Sequence, residues 1–405
     1  VGKKVTQKRT ITPWWIFIVC CFISMIGFGL IVNTIGLFFG PISQEFHVGR
    51  ASVALMTTLQ NAAAAISLLF AGKVMKKVNL RWLLTACFSI IAISMLTLAA
   101  AHSLTHFYIA WIIIGICQPI AITLSIPVLL SNWFNQKLGT VMGISLGLSA
   151  FGGTIFNPII ADIITKFGWR GGFIAEGLLI GLILMPLAAS IRPNPDEKHP
   201  AYGTTTKSES NSLLNGITLK EALHQPVFYA LAFAMLALQF VSGSVQHISG
   251  HITNLGISPV LAASVVSGVM IGAAVGKISI GYFLDKLSPI LVLLVYSLFG
   301  ILGWSGQIFL TNSTLLTISA FILGLGQGVC LVALPYLIQK QFGEKDYSNI
   351  LSVINMLGAF TMSLSVYLVG LFFDQTHSYN LGWTINVIAY ILSFIAIFIT
   401  LRKKA

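Results

Sequence analysis

The sequence predicts an all-α membrane protein of twelve transmembrane helices, arranged as two pseudo-symmetric sets of six. Three observations carry this. Only 8% of the 405 residues are charged and 56% are hydrophobic, whereas a soluble chain carries about 25% charged residues. The apolar residues form continuous runs long enough to cross a bilayer as helices, not the short alternating segments of a membrane barrel. The basic residues cluster on alternate loops, as membrane orientation requires.

Taken in order, the runs are residues 14–39, 51–74, 81–101, 105–131, 138–162, 169–191, 226–254, 258–284, 289–311, 313–339, 347–373 and 381–401. The first follows the basic stretch VGKKVTQKRTITPWW and continues to Phe39 without a small-residue cleavage site. It therefore reads as an uncleaved span and not as a signal peptide. With the N-terminus placed inside, only Arg50, Lys166 and Arg170 of the 23 lysines and arginines lie on outside loops. Lys277 lies within a span, and all the others lie on inside loops. This asymmetry predicts that both termini are cytoplasmic and supports the count of spans. Compact loops suggest a bacterial inner membrane.

The net charge of +12 raises nucleic acid as a partner. Charges confined to short loops, with no aromatic-basic segment, argue against it; the expected surroundings are lipid. Cys20, Cys21, Cys87, Cys117 and Cys330 all fall within spans and are read as small apolar residues, with neither a disulfide framework nor metal spacing. No cofactor and no metal are expected.

Residues 192 to about 217 form the one long polar stretch, read as a flexible cytoplasmic linker. Thr218 to Glu221 has the spacing of a capping box, which predicts a short surface helix, and Pro226 opens the next span. The expected division is thus 1–191, a linker of 192–225, and 226–405. The two parts resemble each other weakly: GICQPIAITLSIPVLL at 115–130 matches GLGQGVCLVALPYLI at 324–338, each with Gly-x-x-Gln and a late proline, Pro127 and Pro335. GKVMKKVNLR, from Gly72 to Arg81, sits where GYFLDKLSP sits in the second part. A duplicated six-span unit is a transporter plan, with the substrate near the midplane.

These motifs resemble the major facilitator superfamily over almost the whole chain. Gly281, Asp285 and Lys286 match the superfamily's signature loop, and the first copy departs from it with Lys76 where an aspartate is usual. Within the superfamily the chain is most similar to the monocarboxylate porters and the oxalate:formate antiporters. The segments that carry this are PISQEF at 41–46 followed by Arg50, NWFNQKLGTVMG at 132–143 with Gly139 and Gly143, and His247 followed by Gly256. The resemblance implies a secondary transporter, a monomer, that binds an organic anion, with protons as a further cargo under symport.

Lys277 is the leading candidate. It lies eight residues before Asp285, roughly 12 Å along a helix. A cation at that depth marks a substrate or ion pathway, or else snorkels to the surface. In the resembling families this position is an arginine implicated in holding the substrate carboxylate; lysine keeps the charge but not the bidentate fork. Ala273 stands where the proton-coupled porters often carry an aspartate, and Asn355 lies near the second cation of the dicarboxylate antiporters. One cation matches one negative charge, so a monoanion is expected.

His247 and His251 share one face of a helix. Substrate binding, proton uptake by His247 and a structural role are all open to them. Asn33, Gln118, Gln327 and Asn355 fall on spans that line the cavity in the superfamily; interhelical hydrogen bonding is the alternative for each. Glu176 is the only acid well inside a span, open to proton coupling or to a structural pair. The expected function is transport of a small organic monoanion by alternating access, as proton symport or anion exchange. The alternative is multidrug efflux by proton antiport, against which stand the missing Gly-x-x-x-Gly-Pro pattern in span 5 and the buried lysine. No nucleophile-base set supports an enzyme.

Overall fold

The structure is a computed structural model that describes residues 12–48, 50–195, 200–202, 216–257 and 259–402. The basic residues expected inside at Lys198, Lys207, Lys403 and Lys404, and those before residue 12, lie outside the described residues. Among the described residues, eleven helical stretches are long and apolar enough to cross a membrane. The longest, Leu138–Ser190, is broken at Gly168, whose φ of 72° and ψ of 173° leave the helical region. Glycine adopts that φ readily, and the break divides the stretch into two spans.

The twelve helices are α1 (Thr12–Glu45), α2 (Arg50–Lys77), α3 (Leu80–Leu98), α4 (Leu104–Trp133), α5 (138–167), α6 (169–190), α7 (226–254), α8 (Pro259–Lys286), α9 (Pro289–Phe309), α10 (Ser313–Phe342), α11 (Tyr347–Thr376) and α12 (Asn380–Arg402). Large apolar side chains such as Trp82, Leu182, Phe309 and Phe360 remain exposed on the outside of the bundle. In a bilayer those faces meet lipid, where a helix can satisfy its backbone groups internally.

The segment Pro41–Phe46, expected as an outside loop, extends α1 by helix as far as Glu45. The extension is anchored at its tip. Trp169 Nε1 donates to Glu45 Oε2 at 2.5 Å, and Arg170 Nη1 donates to Oε1 at 2.6 Å. The matched stretches of α4 and α10 both contain wide turns, at Pro119–Leu124 and Val329–Ala333. Pro127 and Pro335 follow them and have no N–H to offer the carbonyls of Thr123 and Leu331, which loosens the helix there.

The described parts of the linker make backbone hydrogen bonds to the ends of two spans; the rest of the stretch expected to be flexible lies outside the described residues. Tyr202 N donates to Trp133 O at 2.8 Å, and Ile217 N donates to Phe342 O at 2.9 Å. Tyr202 and Ile217 are therefore tied to the ends of α4 and α10. A one-turn helix, Leu219–Ala222, starts in a reciprocal cap: Glu221 N donates to Thr218 Oγ1 at 3.3 Å, and Thr218 N donates to Glu221 Oε2 at 2.7 Å.

Candidate functional site

A cavity of about 700 Å³ lies between α1, α4 and α5 on one side and α7, α8, α10 and α11 on the other. Its floor is set by the crossing of α5 and α8. There the backbones nearly touch: a Cβ built on Gly143 would meet Lys277 O at 2.4 Å, and one on Gly281 would meet Gly139 O at 2.1 Å. Small residues permit this approach where packing, not water, drives helix association.

Lys277 rises from that crossing. It is 7% exposed, and its Nζ donates to Ser149 Oγ of α5 at 3.1 Å. It does not snorkel; its stem turns across the interface into the cavity wall. Ser149 is itself fixed, donating to Leu146 O at 2.7 Å, while its carbonyl accepts from Asn33 Nδ2 at 3.3 Å. Lys277 is the one lysine, arginine, aspartate or glutamate among the lining residues.

Of the other candidates, Asn33, Gln327 and Asn355 line the same cavity, as does Ala273. Gln118 does not: it accepts from Gln60 Nε2 at 2.7 Å, bridging α4 to α2. Neither histidine lines it. His247 Nε2 pairs with Val366 O and His251 Nε2 with Gln307 O, each at 2.8 Å, so both serve as ties to neighbouring helices. Glu176 is also elsewhere, buried in α6 and accepting from Thr34 Oγ1 of α1 at 2.7 Å. Thr123, Thr154, Asn157, Gln239 and Ser267 add to the polar lining. Gln239 escaped the sequence reading, although a lone glutamine in LALQFV was visible.

One end of the bundle, where the α2–α3 and α8–α9 loops lie, is closed by two related crossings. At α5–α8, Asp285 accepts from Gly139 N at 2.8 Å, and from Thr140 N and Thr140 Oγ1 at 2.6 Å each. A carboxylate at a helix N-terminus is well placed to meet its unpaired N–H groups and dipole. At α2–α11 the pairing is built differently. Lys76 Nζ meets Asp346 Oδ1 at 2.7 Å, and Asp346 also accepts from Asn349 Nδ2 and from Leu219 N of the linker helix, at 2.6 Å each. Lysine replaces the usual aspartate of the first signature loop, and the acid stands immediately before the facing helix instead. Ser348 and Ser352 of α11 donate to Gly72 O and Leu68 O beside it. Arg81 and Lys286 stay local, over the rings of Trp82 and Tyr282 at 5.3 Å and 4.3 Å.

The comparisons agree with this architecture. The Major Facilitator Superfamily model matches residues 17–252 and 243–405. Monocarboxylate transporter 13 of Rattus norvegicus is 24% identical over 396 residues, covering 96% of this chain and 88% of that protein. The MFS-type transporter YhjX of Escherichia coli (strain K12) is 22% identical, covering 84% and 83%. In fold, the chain is similar to the proton:xylose symporter XylE, with a TM-score of 0.74 at 13% identity over 96% of this chain and 95% of that one. With both matched segments, the helices and the central cavity in agreement, the chain belongs to the Major Facilitator Superfamily and is a multi-pass membrane transporter of small molecules.

Proposed function

We propose that this transporter moves a small organic monoanion, a monocarboxylate, by alternating access. The observation that carries the reading is Lys277, the single lysine, arginine, aspartate or glutamate on the cavity wall among the described residues, almost wholly withdrawn from water. Burying a charge is costly unless it is paired. Its protein partner, the Ser149 hydroxyl, brings no negative charge; an entering carboxylate supplies one and binds in a medium that strengthens Coulomb attraction. Among the described residues no acid lines the cavity, which disfavours cationic drugs, and no second cation is there to favour a dicarboxylate. The rat relative's name is in keeping with a monocarboxylate.

In this reading residues 1–191 and 226–405 are the two rocking units, joined by 192–225. The basic-residue bias supports a cytoplasmic position for both termini and for the closed end, so the cavity faces outward, and the YhjX relative is in keeping with a bacterial inner membrane. Glu176 and His247 are held away from the cavity by Thr34 and Val366, which favours anion exchange over proton symport. Uptake of labelled monocarboxylates into proteoliposomes tests the site. Lys277→Ala is expected to lower uptake more than about a hundredfold, since it removes the charge partner of the anion, and Lys277→Arg to keep part of it. Normal transport by Lys277→Ala would sink the proposal.

A further inference from the structure

We infer that the carried acid is polyhydroxylated, a sugar acid of roughly five or six carbons of the aldonic or uronic type, and not a two- or three-carbon acid. This rests on the reading of Lys277 as the carboxylate's anchor.

Five carboxamides line the cavity, each from a different helix: Asn33, Asn157, Gln239, Gln327 and Asn355, on α1, α5, α7, α10 and α11. Asn33 alone of these has a hydrogen bond within the protein among the described residues, to Ser149 O. Asn157 Oδ1 is buried without a partner. A carboxamide offers donors and an acceptor side by side, which suits hydroxyl groups, themselves donor and acceptor at once. A carboxylate only accepts, and one cation already serves it.

Size and depth point the same way. At about 30 Å³ per non-hydrogen atom, the liquid volume of a water, a three-carbon hydroxy acid takes up at most ~180 Å³. That is a minor part of a cavity of about 700 Å³. Asn157 lies eight residues beyond Ser149 on α5, about 12 Å along the helix axis. An acid anchored at Lys277 reaches towards Asn157 only if a longer chain extends from its carboxylate. An aromatic or alkyl acid would cover the carboxamides and strip their water without replacing its hydrogen bonds, which a site built for hydroxyls punishes. A zwitterion finds no acid for its ammonium group among the described lining residues.

The test is uptake by the purified, reconstituted protein of gluconate, glucuronate, lactate, pyruvate, benzoate and glucose. The expected result is kcat/KM for gluconate or glucuronate at least about tenfold above that for lactate. Gln239→Leu and Asn355→Leu should each lower the sugar-acid value about five- to tenfold more than they lower the lactate value, the size of one hydrogen bond. Competition against the wild-type protein needs no variant: excess gluconate should block uptake of any carried acid. Lysine-dependent uptake of lactate or pyruvate that gluconate and glucuronate do not inhibit would overturn this inference and leave the monoanion reading standing. Uptake of glucose alone, or of no acid by protein that melts cooperatively, would overturn both.

Discussion

Lys277 and Ser149 meet across two helices, and the bond sets where the ammonium points. Ser149→Ala frees that group without removing its charge. It is expected to raise KM for the anion about three- to tenfold while kcat changes less, because the loss is one hydrogen bond that orients the ammonium and leaves its charge in place; initial uptake rates over a concentration series check this. Ser149→Thr, which keeps the hydroxyl, should rescue most of the loss. Glu176 is expected to be structural: Glu176→Gln retains an acceptor for Thr34 Oγ1, so the pH profile of uptake should not move. A separate pH effect belongs to Glu221. The backbone and hydroxyl of Thr218 hold its carboxyl below the usual carboxylate range. A depressed pKa means that the cap is intact above the ordinary carboxyl range and is lost only as pH falls through the lower, folded value; hydrogen exchange at Leu219 to Ala222 should show that onset. At this scale Lys277 was legible because a charge inside an apolar run stands out. The roles of His247 and His251 were not, because the carbonyls that hold them belong to Val366 and Gln307, far along the chain.

The crossing of α5 and α8 depends on Gly139, Gly143 and Gly281. A Cβ on Gly281 would lie 2.1 Å from a backbone oxygen that has no freedom to rotate away. Gly281→Ala is therefore expected to disfavour the closed end selectively. Uptake should fall more than about tenfold, and a cysteine introduced on the cavity wall should become reactive to reagents added from the closed side. Equal labelling in variant and parent would contradict the expectation that this crossing keeps that end closed. Among the elements, the span pattern was readable from hydropathy. The extension of α1 was not, since its ties to Trp169 and Arg170 are contacts between distant segments. The wide turns in α4 and α10 were partly signalled by Pro127 and Pro335.

Across the whole molecule, Asp346 joins three parts of the chain: the end of α2, the start of α11 and the linker helix. A double-mutant cycle on Lys76→Ala and Asp346→Asn should give a coupling of about 1 kcal/mol or less, since Lys76 is partly exposed. Asp346→Asn alone should lose more than Lys76→Ala, because it also weakens the acceptor for Leu219 N; thermal unfolding of the purified protein checks the order. The superfamily fold was legible because motif order and charge bias are global properties of the sequence. The exchanged polarity of Lys76 and Asp346 was half visible, as a lysine out of place whose partner lies 270 residues away. Lys277 has a further, electrical consequence under the proposed function. With a monoanion on board the centre is neutral, and membrane voltage acts little on the crossing. Empty, it carries one positive charge, and about 2.3 kcal/mol per 100 mV then falls on the return stroke in proportion to the field traversed. Net influx of the acid should therefore respond to a clamped potential through turnover, whereas one-for-one exchange should be almost indifferent to it.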